Sequence, residues 1–480
     1  MFKIKRILQV WLIFAATSLG LSGLVASNVS AQTDAGGWSQ PFILFEGNGS
    51  IDAPVVVADT SGLVHLTWRY TEQPESEASQ ASNMELLYYS QWESGAWTTP
   101  VDIVASSSAR APSLTVDAQG FLHLLWNGDG GVLKYSSARV EQAASANGWT
   151  RPMNIEATNI HGQILADGDG KIYLVYPGLG NSGPYFQYST DNGQSWSFPA
   201  LISRASRADA SVDYVRIAIS ETGVIHAVWT EFQIPGGWPP LGVFYARSTD
   251  GGSSWSLPVE LAGDGYDQIN IAVISENEIH VAWNGMAGIQ GRYHRWSSNG
   301  GITWFDVDTI TQDGGTEGPP QLVVDSAGTL HLLTTYNACA WYSSWNESRW
   351  NDPECIAPPE ARASNYIEQA ALTLSEGNRL HAVFWDNRQR LWYMTKQTNA
   401  PFETPAPFPT EAITVSTTPT GPVSEVQEAT PIPPDSPILT SDKVPVDETN
   451  PGQAIGIGII PAIVILAGFL AVQVVLKNRK

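Results

Sequence analysis

Basic side chains are scarce in this chain: 25 Lys and Arg stand against 47 Asp and Glu in 480 residues. Six of the basic residues lie at the extreme ends, where no acid occurs, so the stretch between carries 19 basic and 47 acidic residues, a net charge of −28. That balance excludes a nucleic-acid partner and adhesion to anionic lipid, both of which need a cationic surface. It permits cation binding, but no cofactor and no metal site is indicated. Cysteine is nearly absent, with only Cys339 and Cys355. They stand about equally far from a hairpin turn at Asn346-Glu347. The spacing predicts facing positions on neighbouring strands and a disulfide in an oxidising compartment.

Long apolar runs are confined to the two ends. Residues 1–31 read as a secretory signal: Lys3, Lys5 and Arg6, an apolar stretch, then Val29-Ser30-Ala31 as a cleavage site. Retention of that segment as an uncleaved anchor is the alternative. Residues 453–476 read as one transmembrane helix, because about 20 apolar residues span a bilayer. From Ala454 to Leu476 only Gln473 is polar, and the basic tail 477–480 suits a cytoplasmic stop. Between them and the folded part, residues 398–452 are rich in Pro, Thr, Ser and Glu. They hold too few large apolar groups to offset chain entropy and read as a disordered stalk. The expected location is the cell surface, single-pass, with the folded part outside.

What the chain does have is repetition. A phrase Asp-x-x-Gly, two residues, His, then Trp opens at Asp59–Gly62 with His65 and Trp68. It recurs at His123/Trp126, His226/Trp229, His280/Trp283, His331 and His381/Trp385, with a degenerate copy at Tyr173/Tyr176. A second phrase, Trp-x-x-Pro, begins at Trp38, Trp97, Trp149, Trp196 and Trp255, with looser copies at Trp304 and Trp350. A fixed period of about 50 residues marks a repeat architecture. The Trp phrase comes first in the chain and the His phrase last. That offset predicts a ring closed by pairing the N-terminal strand with the last repeat.

The repeat from Val212 to Leu261 shows how one unit is built. Val215–Ile219 alternates as an inner strand and Val224–Trp229 as a second. A long connection, 230–241, precedes a third strand at Val243–Ala246, and an outer strand spans Trp255–Leu261. Four antiparallel strands in about 50 residues make a propeller blade. The expected fold is therefore an all-β, seven-bladed propeller over residues 37–397. The recurring His sits at the same place in every blade, so the copies cannot converge on one metal. Its expected role is structural, the ring packed between sheets with one nitrogen bonded.

The turns between third and fourth strands carry the sharpest motif: Ser189 to Trp196 with Asp191 and Gly193, Ser248 to Trp255 with Asp250 and Gly252, and Ser297 to Trp304 with Asn299 and Gly301. Weaker echoes stand at 90–97 and 343–350. These turns resemble the Asp-box, S-x-D-x-G-x-x-W, of sialidases and other Asp-box propellers. The carboxylate accepts backbone N–H groups within the turn, Gly takes a backbone angle other residues avoid, and the Trp plugs the blade. The resemblance implies the fold over residues 37–397 and says little about activity, since such turns lie on the face away from the family's active site.

Sialidase chemistry needs three arginines on the substrate carboxylate, a Tyr nucleophile and two acidic partners. The first arginine stands in Arg-Ile-Pro, which this chain lacks. Asp52-Ala53-Pro54 occupies that place, reversing the charge, and sialidases have six blades rather than seven. No catalytic residue carries over. Topology still predicts the mouth, in the connections opposite the Asp-box turns. Those after each His strand supply Arg69, Asn127, Glu231, Asn284, Asp386 and Arg388 as ligand-binding candidates. Those between blades supply Arg110, Arg204, Arg207, Asp209, Asp213, Tyr266, Asp267 and Glu317. The expected function is binding of an extracellular glycan or glycoprotein without cleavage. The alternatives are a sialidase-like glycoside hydrolase (exo-α-sialidase type) or lyase with a rearranged site, and a scaffold acting through blade edges.

Overall fold

The computed structural model describes residues 37–72, 84–93, 95–158, 161–237, 239–286, 288–314 and 318–409. The expected signal, the transmembrane helix, the basic tail and the stalk beyond 409 lie outside the described residues. Among the described residues no helix is long and apolar enough to cross a membrane.

Seven antiparallel sheets follow one another along the chain. The first six are blades of consecutive strands, over residues 50–106, 109–157, 163–201, 210–262, 266–311 and 321–355. The seventh joins Ile367–Ser375, Arg379–Asp386 and Arg390–Gln397 to the N-terminal strand Phe42–Glu46. Phe42 pairs with Tyr393 and Glu46 with Arg390. The ring is thus closed by hydrogen bonds between the two ends of the folded part, as the offset of the two phrases predicts.

There is no single core. Seven apolar clusters form, one at each blade-to-blade interface. Second strands are buried on both faces, which is why they read as near-continuous apolar runs. Trp68 faces the blade before it, whereas Tyr89, the partner of His65, faces the blade after. Blade six lacks the Trp: Thr334 stands there and accepts from the fully buried Arg292 of blade five at 2.8 Å.

The Asp-x-x-Gly-x-x-His phrase is one hydrogen-bonded chain. Asp59 Oδ1 accepts the backbone N–H of Ser61 and Leu63, which shapes the turn. Its Oδ2 lies 3.0 Å from His65 Nε2, and His65 Nδ1 lies 2.7 Å from the Tyr89 hydroxyl. Blades two and six repeat it with Asp117–His123–Tyr135 and Asp325–His331–Tyr342. Six residues separate carboxylate and ring because the turn returns the chain to the same level. Both ring nitrogens are used, not one as expected, because burial leaves no water for the second.

Substitutions along this chain compensate one another. In blade three Tyr173 replaces His and reaches Asp167 directly at 2.7 Å, and Phe186 stands where the partner Tyr would be. In blade five Glu278 and His294 flank His280. In blade seven Ser375 serves in place of Asp. In blade four Ser220 takes the Asp position but turns to Glu276. His226 Nε2 is then left buried without a partner. Burial, with the nearby Arg247 charge, pushes that imidazole down to about 4.

The Trp of the second phrase closes each interface. Trp97 stands edge-on to Tyr393, Trp149 to Tyr89, Trp196 to Tyr135, Trp255 to Phe186, Trp304 to Tyr245, Trp350 to His294 and Trp38 to Tyr342. All seven lie at 4.8–6.0 Å and 71–90°. Each pair therefore joins one blade to the blade before it, rather than plugging its own. Edge-on pairs contribute about 0.5–1.5 kcal/mol beyond their burial.

Three of these Trp residues sit in well-formed turns. Asp191 accepts the Ser195 N–H at 2.9 Å, and Gly193 donates to Ser189 Oγ at 2.9 Å. Asp250 and Asn299 hold Ser254 and Thr303 in the same way. Gly193, Gly252 and Gly301 lie on Tyr135, Phe186 and Tyr245 of the preceding blade; a Cβ on Gly301 would sit 1.9 Å from the Tyr245 hydroxyl.

Two boundaries differ from expectation. In blade four the second and third strands extend to Gln233 and back to Pro240, so half of the expected connection is strand. The outer strand is only Val259–Ala262. Pro258 cannot donate, and Trp255 is turned into the neighbouring interface. The chain also keeps packing beyond 397, through Phe408. Cys339 and Cys355 form a disulfide, their Cα atoms 5.9 Å apart.

Two predictions follow from these contacts. Gly301 and Gly223 both hold positive φ, +78° and +83°, but nothing lies within 4 Å of a Cβ on Gly223. Gly301→Ala is therefore expected to cost about 2 kcal/mol more than Gly223→Ala in denaturant unfolding; equal costs would show that the interface tolerates the methyl. His226 supplies the second. Its unfolded imidazole takes a proton near pH 6.5, but the folded one not until about pH 4. Stability then falls by about 3 kcal/mol as pH drops through that window, and His226→Gln should flatten the loss.

Candidate functional site

Strand order places the Asp-x-x-Gly turns and the third-to-fourth-strand turns on one face. The starts of the inner strands and the second-to-third-strand connections lie on the other. There every inner strand opens with one residue at positive φ: Ala53, Ala111, His161, Tyr214, Gln268, Gly318 and Gln369, at +43° to +117°. In five blades the register slips at that point, marking a β-bulge. Bulges re-aim side chains, and a non-glycine residue held at positive φ stores about 1–3 kcal/mol. These seven positions stand around a central funnel of about 740 Å³, lined by the inner strands of all seven blades.

On one side of the funnel, Arg69 bridges two carboxylates. Its guanidinium bonds Asp52 and lies 3.3 Å from Glu85. Glu85 is further fixed by the Ala109 N–H at 2.7 Å. Asp52 therefore presents no bare negative charge, although it stands where a sialidase would carry arginine. Arg110 is different. Its side chain is 53% exposed and only loosely paired, 3.6 Å from Glu85.

Across the funnel, blades three and four bring four groups together. His161 stacks on Tyr214 with ring centroids 3.9 Å apart. His161 Nδ1 lies 2.9 Å from Asp213, which also accepts the Tyr214 N–H. Arg216 donates to the His161 carbonyl at 3.0 Å and fixes the bulge. Burial holds the Tyr214 phenol well above its usual range, with Asp267 and Asp213 adding to the shift. Burial likewise pushes the Asp267 carboxyl up to about 7, partly offset by the Gln268 N–H. A crevice of about 530 Å³ opens beside this cluster, lined by Arg110, Asn127, Thr158 and Asp213 among others. Asn127 is 5% exposed, and its Nδ2 has no partner.

The six primary candidates separate in space. Arg69 lies in the funnel and Asn127 in the crevice. Asn284 is buried behind the bulge of blade five and the left-handed Gly318 of blade six, donating to Gln268 Oε1 and the Gly318 carbonyl. Glu231 is fully buried and accepts from Ser206 and Trp229. Asp386 is fully buried and holds Arg390 and Trp392. Arg388 is exposed in the hairpin turn beside it. Of the inter-blade candidates, Arg110 and Asp213 line the crevice with Asp267 close by, while Arg207 pairs with Asp209 away from the funnel. Glu317 lies outside the described residues. Sequence reasoning missed His161, Tyr214, Arg216 and Glu85. Nothing in the strand pattern marks a bulge, and the one signal was an inner strand starting polar, as in Asp213-Tyr214.

Neither a protein-family model nor a curated relative matches the sequence. Solved structures match by fold. A lectin from Burkholderia pseudomallei superposes with a TM-score of 0.54 at 13% identity, covering 75% of this chain and 99% of the lectin. An ulvan lyase from a family of polysaccharide lyases gives 0.50 at 13% identity, with 75% and 96% covered. The NanB sialidase from Streptococcus pneumoniae gives 0.42 at 12% identity, with 75% and 70% covered. At these identities the likeness shows the fold alone, a β-propeller, and the seven blades are those of the sheets themselves.

The Asp267 carboxyl makes a testable mark on stability. Unfolded, it loses its proton near pH 3.9; folded, it keeps it to about pH 7. The folded state binds the extra proton across that window, so this group removes stability as pH rises from 4 to 7. Asp267→Asn is expected to be about as stable as the parent at pH 4 and more stable by about 4 kcal/mol at pH 8. Equal stabilities at both pH values would show a normal carboxylate.

Proposed function

We propose that this chain is an Asp-box propeller whose funnel mouth binds an extracellular glycan or glycoprotein. The observation that carries the reading is the crevice in which half-exposed Arg110 meets the buried, unpartnered amide of Asn127. A loosely paired cation beside an amide donor without an acceptor, at the rim of a central cavity, suits a ligand rich in hydroxyl or carboxylate oxygen. The turns at Asp191, Asp250 and Asn299 bond internally as the Asp-box resemblance implies. A lectin and a polysaccharide lyase among the structural neighbours are compatible with this ligand class. Display outside the cell on the anchor expected at 453–476 completes the proposal. The Cys339–Cys355 disulfide supports an oxidising compartment.

A second reading is favoured by one observation. Asp213, Tyr214, Asp267 and His161 form a compact set at the mouth, as a glycoside hydrolase or lyase with a rearranged site would need. Tyr214 is held as a neutral phenol, which suits a proton donor better than a nucleophile.

The deciding experiment screens residues 32–409 on a glycan array and, in the same preparation, for sugar release from sialylated and neutral fluorogenic glycosides. Arg110→Ala is expected to weaken binding about ten- to a hundredfold, the worth of a lost charge-assisted hydrogen bond, with an unchanged melting temperature. Undiminished binding would move the site away from the crevice. Turnover that Tyr214→Phe abolishes while binding persists would establish the second reading.

A further inference from the structure

The ring has a second closure that neither repeat announces. After the last strand of blade seven the chain does not leave the fold. Residues 398–409 run across the face opposite the funnel, over the first turns of four successive blades. Ser326 Oγ of blade six donates to the Pro401 carbonyl, and Asn378 Nδ2 of blade seven to that of Ala400. The Glu403 N–H reaches the Glu376 carbonyl of blade seven at 2.9 Å. The Ala406 N–H reaches the Thr60 carbonyl of blade one at 2.7 Å. Pro405 lies on Gly62 of blade one, and Phe408 lies on Gly120 and joins the cluster between blades one and two.

We propose that residues 398–409 are a clasp that locks the propeller shut. The argument is geometric. The one blade completed by a strand from the other end of the folded part is blade seven, through the pairing of Phe42–Glu46 with Arg390–Gln397. If that short strand peels away, blade seven is held to blade one only by the packing of their faces. The clasp is covalently continuous with the blade-seven side of the seam and bonded to blades one and two on the other side. It therefore acts in parallel with the N-terminal strand, and both must release, together with the blade-seven to blade-one packing, before the ring opens. It fits only where the turns present a free carbonyl and a glycine: a Cβ on Gly120 would meet the Phe408 ring at 2.7 Å. Tension applied to the chain beyond 409 would load Phe408 at blade two before it could peel Arg390–Gln397 from its partner.

The test uses the full chain. In one variant residues 401–409 become Gly and Ser at unchanged length; a milder one is Phe408→Ala; Phe198→Ser, at a 95% exposed side chain on blade three, is the control. Amide hydrogen exchange in Phe42–Glu46 should accelerate at least tenfold in the first variant and measurably in the second, while exchange in Ile225–Gln233 of blade four stays unchanged. The control should move neither. Exchange in Phe42–Glu46 at the parent rate in both clasp variants would overturn the proposal. So would equal acceleration in the two strands, which would make the segment ordinary packing.

Discussion

Everything in this fold hangs on an aromatic edge pressed against the ring of the preceding blade. Each blade presents a Tyr, Phe or His from its third strand, held from behind by a His or Tyr and, in five of the seven, by an Asp or Glu at the turn. The next blade sets a Trp edge against it. The interaction is weak one at a time. Because it recurs at every interface, no blade can be removed without leaving two unsatisfied surfaces, and a single blade has no core of its own. The buried hydrogen-bonded chain fixes the aromatic ring's position, and the Trp then has only one place to go.

This arrangement explains what tolerates change and what does not. The His can become Tyr in blade three because Tyr173 reaches the same carboxylate, but then the partner hydroxyl has no acceptor and Phe186 replaces it. Losing the carboxylate without such a change, as in blade four, strands a nitrogen and costs stability in acid. The turn glycines are fixed twice over, by positive φ and by the ring beneath them.

The two repeated phrases made the fold legible: their period gives the blades, and their offset gives the closing strand. Both phrases report local, periodic contacts that each blade must satisfy alone, and such contacts leave a mark on sequence. The funnel is not of that kind. Its Tyr214 and Arg216 come from a bulge, where register slips by one residue, and His161 from a left-handed residue just before its strand, so the side chain aimed at the axis is not the one alternation predicts. Glu231 and Asp386 follow the His strands as the mouth residues do, but they are turned inward to bond Trp229 and Trp392. Position along the strand could not separate them from Arg69. The segment after 397 looked like stalk because its composition is that of a stalk. What holds it down is the turn face it crosses, which composition cannot show.

Rigidity and strain meet at the mouth. A ring locked at seven interfaces and two seams can hold six non-glycine residues at unfavourable backbone angles around one axis, and can keep Asp267 buried near a second acid. A looser scaffold would relax both. Strain kept at such a place, with Arg110 loosely paired and Asn127 Nδ2 unmatched beside it, has no structural purpose that the blades themselves require. The same charges also correct the simplest inference from Asp52. A carboxylate in place of an arginine does not make the mouth repel anions, because Arg69 already neutralises it. Beside it stands Arg110, a half-exposed and loosely paired cation in a protein with an excess of acidic residues.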